Sequence, residues 1–190
     1  MILAAAVLVA VIVGLARGGS LQRLAELPLR WAWVALLAFG LQIYLIYFPE
    51  SVSAGLVSPR VGLLVLSYLL LFAVIWQNRS LPGVWLMGVG LLSNFSVMIL
   101  NGGYMPITLE ALTRAGFAHT ALGTQAGARV FATKDIILPR DATVAWWLSD
   151  IFVLPPPFPI PSVFSIGDTL IALGIFWLVQ SGMRATRART

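Results

Sequence analysis

Asp168 stands in FSIGDTLIALGIFWLV (164–179), a run that is otherwise apolar. A carboxylate at the centre of a membrane-spanning helix costs about 2.5–3.5 kcal/mol, so an acid there calls for a partner, a capping role or a chemical task. Two carboxyls sharing a proton can act on water as base and acid. The acids available to Asp168 are Asp150, closing WWLSD (146–150), and Asp141 in LPRDAT (138–143), with Asp135 a little earlier. Asp168, Asp150 and Asp141 are therefore the catalytic candidates. Asp150 is favoured as partner because its flanks are apolar. Ser165-Ile166-Gly167-Asp168 also fits a capping box, which would give the same carboxylate a structural role at a helix start. Asp135, Asp141 and Asp150 each have a plainer role open to them, solvation or pairing with Arg129, Lys134 and Arg140.

Amide side chains complete the candidate set. Asn94 and Asn101 are seven residues apart and fall on nearly the same face of one helix. Asn101-Gly102-Gly103 then suits a helix C-cap and a turn of positive φ. A binding site is expected from Asn94, Asn101, Gly102, Gly103, Asp150 and Asp168, with helix–helix hydrogen bonding and capping as the structural alternatives. Gln42 falls at a similar depth.

The elements that must position these residues follow from composition. The chain has 190 residues, 59% hydrophobic and 10% charged, with a mean hydropathy of +0.94. Soluble domains carry about 25% charged residues, so an all-α integral membrane protein is predicted, as a single membrane domain. The net charge of +5 comes from residues in connectors and at the C-terminus, which fits membrane orientation rather than nucleic-acid binding. With no cysteine and one histidine, His119, no thiolate or histidine-rich metal site is expected. No cofactor is implied.

Five apolar runs approach the ~17–25 residues that a spanning helix needs: 2–16, 31–48, 61–76, 84–100 and 163–180. The first is read as a span and not a signal peptide, because Arg17 follows the apolar run and no basic region precedes it. Arg17, Arg23, Arg30, Arg79, Arg184, Arg187 and Arg189 then share one side, against Arg60 in the short connector on the other. Basic flanks mark the cytoplasmic side. The N-terminus is thus expected outside, the C-terminus inside, and the roughly 60-residue loop 101–162 extracytoplasmic. Trp31, Trp33, Trp76, Trp85 and Trp177 fall at the inner interface of this scheme, and Tyr44, Tyr47 and Tyr104 near the outer one.

Within the loop, Thr108 and Gly116 bracket a short helix in which Glu110 and Arg114 pair. Residues 129–134 read as a short strand or an extended piece, and 143–152 as an interfacial or re-entrant helix. Residues 154–161, with five prolines in eight, read as extended polyproline leading into the last helix.

LSDIFVLPPPFPIPSVFSIGDTLIALG (148–174) resembles the end of bacterial lipoprotein signal peptidases, in which a Phe-Asn-x-Ala-Asp motif opens the last helix. Phe164-Ser165-Ile166-Gly167-Asp168 matches it with Ser for Asn and Gly for Ala, and Asp168 would be one catalytic aspartate. The Asn-x-x-Asp-Arg motif of that family is missing. Asp141 has the right distance but the wrong context, Asp150 aligns with a non-catalytic position, and that family has four helices. Taken whole, the chain more closely resembles a family of uncharacterised bacterial multi-pass membrane proteins, marked by NGGYMP (101–106), LxDI (148–151) and SIGD (165–168). That resemblance implies a bacterial cytoplasmic membrane and no activity. The function expected is a polar ligand- or lipid-binding pocket at the outer face. The alternatives are an accessory subunit packed against other membrane-protein subunits and an intramembrane aspartyl hydrolase. Membrane lipid is the expected partner.

Overall fold

The computed structural model describes residues 2–47 and 58–184. Phe48, most of the second connector and the basic residues Arg187 and Arg189 lie outside them. Seven helices and four short strands are formed: α1 (Ile2–Ala16), α2 (Leu21–Ala25), α3 (Ala32–Tyr47), α4 (Pro59–Gln77), α5 (Val84–Leu100), β1 (Met105–Ile107), α6 (Leu109–Arg114), β2 (Asp135–Ile137), β3 (Phe152–Leu154), β4 (Ser162–Phe164) and α7 (Ile166–Met183). α4 and α7 are long and apolar enough to cross a membrane, and α1, α3 and α5 are shorter apolar helices.

Local signals explain the ends. Ser58 Oγ accepts from the Val61 N–H, with Pro59 at the first helical position of α4, where its missing donor is no loss. Thr108 caps α6 through the Ala111 N–H. Ser165 and Asp168 form a reciprocal capping box at α7. The last helix therefore begins at Ile166, three residues later than expected, because Val163 and Phe164 belong to β4.

α5 and α7 run antiparallel in close contact, and glycines make this possible. A Cβ on Gly90 would lie 2.5 Å from the Gly167 carbonyl oxygen, and one on Gly174 would lie 2.6 Å from that of Gly83. The pairs Gly83–Gly174 and Gly90–Gly167 are both seven residues apart on their helices, so one small-residue seam recurs every two turns. Such seams let helix backbones approach in apolar surroundings, where hydrophobic burial offers little drive. α1 joins α7 through Gln180, whose Nε2 donates to the Ala10 carbonyl at 2.7 Å. α3 joins α4 through Gln42 Nε2, which donates to Ser67 Oγ at 2.8 Å. Tyr68, Phe72 and Phe95 form an aromatic cluster between α4 and α5.

The segment after α5 departs from the expected elements in three places. β2 falls at Asp135–Ile137, pairing in parallel with β1; of the expected strand 129–134, Arg129 and Val130 contribute only isolated bridges. The helix expected over 143–152 is a single tight turn at Trp146–Leu148, followed by β3. The proline-rich stretch is the loop of a hairpin, with β3 and β4 antiparallel and Phe152 stacked on Phe164. Prolines fix φ and favour an extended chain, but the triplets on either side, Phe152–Leu154 and Ser162–Phe164, pair with each other and turn it back.

Candidate functional site

Two sequence-distant segments, one carrying Asn94 and the other Ser165 and Asp168, meet where α5 and α7 come together. Asn94 Nδ2 donates to Asp168 Oδ1 at 2.8 Å, and Ser165 Oγ donates to Asn94 Oδ1 at 2.8 Å. The Asp168 N–H donates to Ser165 Oγ at 3.0 Å, and the Ser165 N–H to Asp168 Oδ2 at 3.4 Å. Both carboxylate oxygens are thus engaged. Gly167 is required between them, since a Cβ there would overlap Asn94 Oδ1 and sit 2.7 Å from the Gly90 carbonyl oxygen.

NGGYMP organises the neighbouring charges. Gly102 and Gly103 adopt φ of +72° and +86°, a region open to glycine, and turn the chain from α5 into β1. Gly103 also lies against Val61. β1 then pairs on one edge with β2, Met105 opposite Asp135, and bridges on the other edge from Ile107 to Asp150. The Asp150 N–H donates to the Pro106 carbonyl at 3.1 Å. One short strand therefore carries Lys134-Asp135 on one side and Asp150 on the other.

Asp150 is 8% exposed, and its Oδ1 is buried with no hydrogen-bond partner. Burial, and then the negative charges of Asp135 and Asp168, push this carboxyl well above the usual carboxylate range, against the opposing pull of Lys134. Asp135 is pushed up to about 6 by burial, partly offset by a hydrogen bond from Thr133 and by Lys134. Burial lowers the Lys134 ammonium from its ordinary value, while Asp135, Asp168 and Asp150 oppose that shift. Lys134 Nζ donates to Gln42 Oε1 at 2.6 Å, fastening this cluster to α3.

The other expected site residues lie elsewhere. Asn101 caps α5, donating to the Val97 and Val144 carbonyls at 2.7 and 3.0 Å and accepting from the Val144 N–H at 3.0 Å. It pins the loop and leaves the Asp168 cluster to Asn94. Gly102 and Gly103 serve the turn. Asp141 sits exposed on a surface turn. Among the described residues no group of three His, Cys, Asp or Glu is placed to hold a metal ion.

Several polar residues here carried little sequence signal. Arg60 Nη1 donates to the Leu45 carbonyl at 2.9 Å, and its guanidinium lies 4.1 Å from the Tyr104 ring centroid. Arg129 is 7% exposed and lies 5.6 Å from the same centroid, with its Nε and Nη1 lacking partners. The one available clue was FATKDIIL (131–138), where adjacent opposite charges interrupt an apolar stretch.

Two apolar helices long enough to cross a membrane, shorter apolar helices and a buried acid–base cluster at one end of their packing define a class of protein. The chain belongs to a family of unknown function (DUF5317), whose model matches residues 26–180. An uncharacterised protein of Thermotoga maritima is 32% identical over 118 residues, which is 60% of this chain and 60% of that one. The match thus spans about 60% of that relative's length. No solved structure matches.

Proposed function

We propose that this is a five-span protein of a bacterial cytoplasmic membrane, with its N-terminus and the 101–162 loop outside, and that it binds a polar ligand in the cluster of Asp150, Asp168, Asn94 and Lys134. The observation that carries the reading is Asp150. A buried carboxyl with an unpartnered oxygen lowers stability by about 1–3 kcal/mol, and perturbed buried acids gather at functional sites. With Asp135 and Asp150 of raised proton affinity beside an ammonium of lowered proton affinity, the cluster can exchange protons with a bound polar group. The five-span reading is supported by two helices long enough to cross, by the glycine seam, and by the 45–69% exposure of Trp31, Trp33, Trp76, Trp85 and Trp177, as a lipid-facing belt requires. Binding is favoured over aspartyl hydrolysis because Asp168 is tied into the helix cap by Asn94 and Ser165, and among the described residues no second carboxyl shares a hydrogen bond with it, as a proton-sharing pair would.

Native mass spectrometry of protein released directly from membranes tests the binding. A co-purifying polar species is expected on the wild type and on Asp141→Asn. It should be lost from Asp150→Asn and Asp168→Asn, provided these variants keep the wild-type helical circular dichroism. No bound species on the wild type, or a species retained by both cluster variants, overturns the reading.

A further inference from the structure

A concavity lies along the Ser149–Ile151 backbone, lined by Ser149 and Ile151 but not by Asp150. It has a volume of about 290 Å³ and runs between α6 and the chain from Leu138 to Val153. Its walls are apolar, with Ile107, Leu138 and Ile151 among them, and its polar groups include Glu110, Arg114 and Arg140. The Arg140 guanidinium is stacked on Trp146, 3.6 Å from the ring centroid. Such stacking holds the planar fork in one orientation while leaving its edge free to donate. Neither Arg114 nor Arg140 is held by a side-chain hydrogen bond or ion pair to a described residue.

Two guanidiniums on an apolar floor suit the oxygens of a phosphate. A carboxylate beside them suits a hydrogen-bond donor on the same ligand. The outer surface of the groove wall indicates where that ligand resides. Thr143, Trp146, Ser149, Ile151 and Val153 line the groove, while the interleaved residues Val144, Trp147 and Phe152 point outward and are 51%, 57% and 42% exposed. A segment that borders a groove carrying charged groups and exposes Val144, Trp147 and Phe152 on its outer side fits the headgroup layer of a bilayer, where Trp concentrates. We propose that this groove binds the headgroup of a glycerophospholipid, with Arg114 and Arg140 on the phosphodiester and Glu110 on a donor group of the head, an amine or a hydroxyl. This site is separate from the Asp150–Asp168 cluster and does not depend on it.

The full chain in detergent, titrated with short-chain lipids and followed by thermal unfolding, tests the assignment. Dihexanoyl phosphatidylethanolamine and phosphatidylglycerol should stabilise it at lower concentration than phosphatidylcholine, whose head donates no hydrogen bond. The double variant Arg114→Gln/Arg140→Gln should require about tenfold more of every lipid, as loss of a charge-assisted hydrogen bond predicts. Glu110→Gln should narrow the difference between ethanolamine and choline lipids and leave the phosphate-dependent part in place. Inorganic phosphate should give little stabilisation; if it matches the lipids, the site is for free anions and the proposal fails. Equal response of wild type and double variant to all three lipids also overturns it. Asp150→Asn serves as the control, because it is expected to lose the ligand of the other cluster and keep this lipid response.

Discussion

Asn94 and Asp168, 74 residues apart in sequence, are joined by a 2.8 Å hydrogen bond from the Asn94 amide to the carboxylate. The same amide's oxygen accepts from Ser165 Oγ, so one side chain on α5 satisfies both polar members of the capping box on α7. Asn94→Leu removes the donor to Asp168 and the acceptor for Ser165 together. A loss of about 1–3 kcal/mol is expected, the range for leaving a buried polar group unpaired. Thermal unfolding in detergent measures it, with Asn101→Leu as a comparison that loosens the 144 segment instead. An Asn94→Leu variant as stable as wild type would mean that the bond contributes nothing to the α5–α7 contact.

The glycine seam makes a second, sterically stated prediction. Gly90→Ala and Gly174→Ala each place a methyl group 2.5–2.6 Å from backbone oxygen or side-chain carbon of the facing helix. Rigid backbone cannot yield as a flexible side chain can, so the helices must separate, at a cost of about 1–3 kcal/mol each. At Gly62 in α4 an added Cβ would meet no heavy atom within 4 Å. Gly62→Ala is expected to be neutral or stabilising by up to about 1 kcal/mol, through helix propensity alone. Equal effects at the three positions would show that the seam is not what sets the α5–α7 distance.

The helices were legible because their signals are local. Apolar runs give the positions, and Thr108 and the Ser165–Asp168 capping box mark two of the caps, while the starts of α4 and α7 were displaced by two and three residues. Asn94 and Asp168 could be matched in depth once their helices were set antiparallel. Asp150 stood out by its apolar flanks. The pairings in the long loop were not legible, because nothing near Lys134 in sequence announces Gln42, 92 residues away. Arg129 and Tyr104 likewise meet only after β1 and β2 have paired. The proline stretch misled for a related reason: local φ preference favours extension, and a long-range strand pairing decides the outcome.

The absence of cysteine from the sequence makes the proposed orientation simple to examine. Asp141→Cys lies on an exposed turn in the long loop, and Arg23→Cys on the exposed short helix α2. In intact cells a membrane-impermeant maleimide should label position 141 and should reach position 23 only after permeabilisation. Three apolar helices, α3 to α5, separate the two sites. Labelling of both from the same side contradicts an odd number of crossings between them, and the reversed pattern contradicts the orientation.

Stability should fall with rising pH over the range in which the buried acids lose their protons. Asp135 and Asp150 bind protons more tightly in the fold than the ordinary value of 3.8 allows. Their contribution is fully present below that value. It is lost as pH rises through about 6 for Asp135, and as pH rises through the raised folded value of Asp150. Lys134 acts with the opposite sign: its contribution is present above 10.5 and is lost as pH falls through its lowered folded value. It therefore cannot produce a loss on raising pH. A total change on the order of 1–3 kcal/mol is expected between about pH 4 and 8. Asp150→Asn, which keeps a neutral side chain of similar shape, should flatten the profile and gain relative stability at the alkaline end. An unchanged slope in Asp150→Asn would remove this residue as the source.

The 2.6 Å bond from Lys134 to Gln42 joins the charge cluster to α3, so it should behave as a coupled pair. Gln42→Leu leaves the ammonium without its acceptor. Lys134→Met leaves Gln42 Oε1 unpaired, while Gln42 Nε2 remains on Ser67 Oγ. Each single change is expected to lower stability by about 1–3 kcal/mol. The double variant removes both stranded groups, so its loss should be smaller than the sum, by about 0.5–3 kcal/mol. Lys134→Met also takes away the positive charge that steadies Asp150 and Asp135, so in that variant both acids should hold their protons to higher pH. The fall in stability should then shift to higher pH, a movement Gln42→Leu should not produce. Strictly additive losses, or the same pH profile in all three variants, would mean that Lys134 rests on α3 without linking it to the acids.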